Sequence, residues 1–108
     1  MIELVAAPEG GPGPHYAELH RSADLSVGSY VIPAGGRDPQ SPHTEDEVYV
    51  VLAGRARLTG PDASIPVRAG SVVFVAAGEE HRFTDVEEEL HVVVVFGPAE
   101  YARRPVDG

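Results

Sequence analysis

The sequence predicts an all-β barrel. Ten prolines and twelve glycines fall between short apolar runs. No stretch of ten or more residues carries an apolar repeat of 3.6, and the apolar runs themselves have the length of strands rather than helices. With 108 residues the chain has room for one core and one domain. Its 43% apolar and 23% charged residues match an ordinary globular protein.

In chain order, strands are expected at residues 16–21, 26–32, 47–52, 55–59, 64–68, 72–75, 81–86 and 90–96. Ala53-Gly54 reads as a hairpin turn, and Gly60-Pro61-Asp62 and Ala77-Gly78 offer the fixed or positive φ that reversals need. Glu87-Glu88-Glu89 reads as a solvated turn between the last two strands. The run 90–96 is apolar in both parities apart from His91, which describes a strand covered on two faces. A homodimer interface is the natural cover for its outer face, with the N-terminal segment as the alternative. Residues 1–14, rich in proline and glycine, form a lead-in. Residues 15–98 form the barrel, and residues 99–108 form a tail with room for one helical turn near Glu100.

The charge excludes several partners. Seventeen acidic residues face eight basic ones, all of them arginine, for a net charge of −9. Such a surface repels phosphate backbones and anionic lipid headgroups, so neither nucleic acid nor a membrane surface is expected as a partner. With no cysteine, disulfides, thiolate ligands and a thiol nucleophile are absent. Residues 1–7 lack the basic start and apolar run of a signal peptide, and the apolar stretch 92–96 is too short to span a bilayer, so a cytoplasmic protein is expected.

Among five histidines, at positions 15, 20, 43, 81 and 91, His43 is the informative one because Glu47 follows four residues later. Imidazole nitrogen and carboxylate oxygen both bind borderline and hard divalent ions. In an uninterrupted strand, residues four apart are separated by roughly 13 Å, too far to share an ion. The chain must therefore bend at the polar Thr44-Glu45-Asp46, so that His43 ends one strand and Glu47 opens the next, with His81 entering from a third. Strand parity places Tyr49 with Glu47 and Phe83 with His81, facing inward as pocket or core residues.

These residues resemble a known family. The segment 35–54 is similar to the first cupin motif, G-x5-H-x-H-x3-E-x6-G, with Gly35, His43, Glu47 and Gly54 in register and Ser41 in place of the first histidine. The segment 70–85 is similar to the second motif, G-x5-P-x-G-x2-H-x3-N, with Gly70, Gly78 and His81 in register, Ala76 for the proline and Asp85 for the asparagine. Fifteen residues separate the two motifs. The resemblance implies a cupin jelly-roll, a double-stranded β-helix barrel whose mouth holds one divalent transition metal ion: iron, manganese, nickel, zinc or copper. It assigns His43, Glu47 and His81 to three of the four ligand positions.

At the fourth position Ser41 is a poor neutral ligand, leaving a two-histidine, one-carboxylate set open to water or substrate, with Glu45 and His91 as alternative fourth ligands. Two functions of different class fit this picture. One is a metal-dependent enzyme on a small organic molecule, of dioxygenase, isomerase, lyase or cyclase type. The other is a non-catalytic module that binds or senses a small ligand, with or without metal.

Overall fold

Valine and other β-branched or aromatic residues fill the strand positions, and with almost no helical periodicity to compete, the chain pairs throughout as antiparallel sheet. The computed structural model describes residues 1–6, 13–39 and 42–100. Its strands are β1 (His15–Arg21), β2 (Ser26–Ile32), β3 (Asp46–Thr59), β4 (Ser64–Arg68), β5 (Val72–Val75) and β6 (Arg82–Gly97). The order is β1-β2-β6-β3-β4, and β5 also pairs with β3. The all-β expectation holds. No helix occurs among the described residues, so none is long and apolar enough to cross a membrane.

Two expected turns are instead strand. Ala53-Gly54 lies inside β3, which runs unbroken from Asp46 to Thr59, and Glu87-Glu88-Glu89 lies inside β6. The two long strands bend together, and their register shifts between Val51 and Arg57. Gly54 sits at this bend with φ 92°, where an added Cβ would lie 2.1 Å from the carbonyl oxygen of Glu89. A positive-φ glycine serves a hairpin turn and a bulge equally well, so the local sequence did not separate them. Asp85 in β6, at the motif's asparagine position, has φ 49°. Aspartate shares with asparagine the ability to occupy that region, which accounts for the exchange. The Gly60-Pro61-Asp62 and Ala77-Gly78 reversals lie between strands as expected.

Side chains alternate along β3. Glu47, Tyr49 and Val51 point inward and are at most 2% exposed. Across the ladder they meet Phe96, Val94 and Val92 of β6, each 1% exposed. Ile32, Leu58, Val75, Phe83 and Leu90 complete the core, where truncating a fully buried leucine costs about 2–5 kcal/mol. The opposite face of the same strands is also apolar. Val48 and Val50 of β3 lie beside Phe74 and Val72 of β5 and Val95 and Val93 of β6. Phe74 is 63% exposed and Val72 66%.

β1 begins at His15 and β6 ends at Gly97. Beyond β6, Ala99 is buried and Glu100 partly buried against the barrel. The remainder of the expected helical turn and tail, residues 101–108, lies outside the described residues, as do residues 7–12 of the lead-in.

Candidate metal centre

His43 stands in the loop before β3 rather than at the end of a strand. The turn between β5 and β6 holds it there. Gly78, at φ 78°, donates its N–H to the His43 carbonyl at 2.7 Å, and the Ala77 N–H donates to Asp46 Oδ1 at 2.9 Å. These two bonds join the stretch carrying His43 and Glu47 to the turn that precedes His81. Three residues thereby converge: ligand atoms of His43, Glu47 and His81 all lie within 4.8 Å of one another.

Each ring is oriented by its surroundings. His81 Nδ1–H donates to the Glu79 carbonyl at 2.8 Å. In the neutral ring that bond leaves the lone pair on Nε2, and in the protonated ring Nε2 carries a proton; Nε2 lies 2.9 Å from Glu47 Oε1 and 3.0 Å from the Tyr49 hydroxyl. The His43 ring packs on Phe96 with centroids 4.6 Å apart, and its Nε2 lies 3.0 Å from Glu100 Oε2. Burial lowers the pKa of His81, but the Glu47 carboxylate and the Glu79 carbonyl outweigh it and leave the group raised above its ordinary value.

A metal ion fits these residues on two observations. Glu47 Oε1 is buried and close to His81 Nε2, yet no donor is aligned to hydrogen-bond it. A buried carboxylate oxygen without a hydrogen-bond donor is costly unless a cation approaches it, whether a metal ion or the protonated His81. The donor set, two imidazoles and one carboxylate, suits a divalent transition metal with positions left open.

The other expected site residues fall out differently. Tyr49 faces inward beside His81, while Phe83 packs edge-on against Tyr49 at 4.8 Å and belongs to the core behind it. Glu45 is wholly buried and accepts a hydrogen bond from the Thr44 hydroxyl, but stands outside the group of three. His91 has the opposite parity from the core residues Leu90 and Val92, so it points to the outer face, where its Nε2 lies 3.2 Å from Glu89 Oε2. It cannot reach the centre. Ser41 lies outside the described residues.

Two carboxylates escaped the sequence reading. Asp38, 4% exposed, accepts hydrogen bonds from the Tyr30 hydroxyl at 2.6 Å and from the Phe83 N–H at 2.8 Å, tying the loop after β2 to β6. Burial first, and then Asp38, raises the Tyr30 pKa. Glu100 was assigned to the tail. Its one signal is its place four residues after Phe96, the residue paired with Glu47.

A cavity of about 270 Å³ opens beside the centre. Tyr16, Tyr30, Val94 and Phe96 give it apolar walls, and His43, Glu47, Tyr49 and Glu100 add polar groups. His81 is not in its wall.

Comparison with known proteins agrees with this architecture. The family model described as Cupin domain matches residues 28–96. An uncharacterized protein of Streptomyces coelicolor is 46% identical over 85 residues, covering 79% of this chain and 81% of its own. Among solved structures, an RmlC-like cupin protein from Desulfovibrio desulfuricans is similar with a TM-score of 0.75 at 24% identity, covering 92% of this chain and 99% of that one. The DMSP lyase DddQ from Ruegeria pomeroyi is similar with a TM-score of 0.73 at 21% identity over 79% of this chain, which spans 47% of the lyase. At these identities the two structures establish the double-stranded β-helix fold alone.

Proposed function

The chain belongs to the cupin family, and on that premise we propose that it is a metal-dependent enzyme acting on a small organic molecule, with one divalent transition metal ion held by His43, Glu47 and His81. The observation that carries this reading is the buried Glu47 Oε1, facing His81 Nε2 at 2.9 Å at the edge of a cavity with room for a small molecule. When bound, the ion supplies Lewis-acid polarisation of a substrate oxygen, or activation of dioxygen if it is iron. The chain's own residues do the rest. Tyr16, Tyr30 and Phe96 give the cavity apolar walls for a small organic molecule, and the Tyr49 hydroxyl offers a hydrogen-bond donor beside the ligand atoms.

Metal analysis of the purified protein beside His43→Ala and His81→Ala tests the reading. Wild type is expected to carry about one ion per chain and each variant to lose most of it. Equal, negligible metal in all three would sink the enzyme reading and favour a metal-free ligand-binding module. Iron would direct the reaction toward dioxygenase chemistry; zinc, nickel or manganese would direct it toward isomerase, lyase or cyclase chemistry.

The exposed apolar strip of β3, β5 and β6 supports a homodimer, with a second copy covering Val72 and Phe74. A dimer mass at micromolar concentration that Phe74→Glu reduces to the monomer is expected; a monomeric wild type would contradict it.

A further inference from the structure

The cavity beside the centre carries negative charge and aromatic rings. Among the described residues its wall holds two carboxylates, Glu47 and Glu100, and neither lysine nor arginine. Glu47 is committed to His81 at 2.9 Å or to the ion that would stand between them. Glu100 is therefore the carboxylate left to face a ligand.

Its place is built into the fold. Ala99 is 2% exposed and seats the segment beyond β6. The Glu100 N–H donates to the wholly buried Ser26 Oγ at 2.8 Å, and the Glu100 carbonyl accepts from Arg21 Nη2 at 2.8 Å. Arg21 Nε donates to Glu18, so the hydrogen bonds of this arginine go to the Glu100 backbone and to Glu18 rather than to the Glu100 carboxylate. On that carboxylate Oε2 lies 3.0 Å from His43 Nε2, while Oε1 accepts no hydrogen bond from the described residues. A carboxylate has room for several donors.

The apolar part of the wall is equally fixed. The Tyr16 side chain lies over Gly28 of β2, where an added Cβ would stand 2.0 Å from the Tyr16 hydroxyl. Its ring meets that of Tyr30 at 6.3 Å and 70°. Burial first, and then the carboxylates of Glu100, Glu18 and Glu47, raise the Tyr16 pKa, so the negative potential reaches this side of the cavity too.

We propose that the cavity takes a small organic cation, whose ammonium nitrogen is held by the Glu100 carboxylate and whose apolar part lies among Tyr16, Tyr30 and Phe96. An anion entering the same space would meet Glu100 as a like charge, with no side-chain cation among the described residues of the wall to offset it. A neutral ligand would forgo the charge-assisted bond. Aromatic rings, unlike aliphatic walls, also attract a cation. That the cavity serves a reaction rests on the metal-dependent reading above; the charge of its ligand does not.

The test uses benzylammonium, benzyl alcohol and benzoate as probes of one shape and three charges. Each is titrated into the full chain, as purified and after a chelator has removed any metal, with Kd read from 1H–15N shift changes. Benzylammonium is expected to bind about 10-fold or more tighter than benzyl alcohol, with benzoate weakest, in both preparations. Glu100→Gln, which keeps the shape and removes the charge, should abolish that preference, whereas Glu88→Gln, the same change on an exposed side chain, should keep it.

Benzoate binding tightest without metal, no binding of benzylammonium, or a preference that survives Glu100→Gln would overturn the proposal. Should Glu100→Gln fail to fold, the order of the three probes on wild type decides. Benzoate binding tightest only in metal-loaded protein would also overturn it and leave the metal reading standing. A benzylammonium preference in a protein that holds no metal would sustain the cation site and remove the metal reading.

Discussion

The paired strands β3 and β6 carry two sets of charged groups that are treated in opposite ways. At the bend, Arg55 reaches Glu87 at 2.5 Å and Glu88 at 3.9 Å, all with side chains 59–62% exposed. Inside the barrel, Glu47 and His81 lie 2.9 Å apart with side chains 2% and 5% exposed. Water solvates the first set, so its geometry contributes little and tolerates change. The second set has lost that solvation, and only a close counter-charge stabilises it there. Similar distances in the two places therefore carry different information: the outer ion pairs are a surface feature, and the inner one marks a site.

The largest expected effect comes from the bend that separates the two regions. Gly54→Val places a β-branched side chain at φ 92° against the Glu89 carbonyl, and should cost about 3 kcal/mol or more in urea unfolding. A loss below about 1 kcal/mol would mean that the bend relaxes freely and does not fix the geometry on either side.

A smaller effect separates the two charged sets by their response to pH. The raised pKa of His81 means that its pairing with Glu47 stabilises the metal-free protein fully below the ordinary value of 6.5, and that this contribution is lost as pH rises through the folded value. The metal-free melting temperature should accordingly fall by a few degrees from pH 6 to pH 8, and Glu47→Gln should flatten that fall. Zinc should reverse the dependence, because the ion competes with the His81 proton. The smallest effect belongs to the exposed set: Arg55→Ala should change stability by no more than about 0.5 kcal/mol and leave the pH profile unmoved. If Arg55→Ala altered the profile instead, the two regions would be coupled and the contrast between them would fail.

The strand content was legible because short runs of valine and aromatic residues, punctuated by glycine and proline, have few alternatives to a β structure. His43, Glu47 and His81 were legible as a set because motif glycines frame them at fixed spacing; Gly78 does so physically, through its bond to the His43 carbonyl. The chain did not reveal whether Gly54 reversed a hairpin or bent a strand, since both require the same backbone conformation at that residue. Nor did the glutamates at 87–89 reveal that they continue β6, because an exposed strand and an exposed turn accept the same charges. His91 shows the limit of composition most directly: its residue type suits a metal, but parity sends it to the other face.

By itself, then, the sequence determined the class of fold, the three residues that converge and the lack of any thiol, because these depend on residue type and short-range spacing. Only the tertiary structure decided that Asp38 is buried and Glu100 partly buried against the barrel, with Glu100 beside His43. Their positions depend on how β6 pairs with β2 and β3 and on where the chain goes after Phe96. That long-range register brings residues 57 apart in sequence into hydrogen-bonding distance, and no local pattern around either residue encodes it.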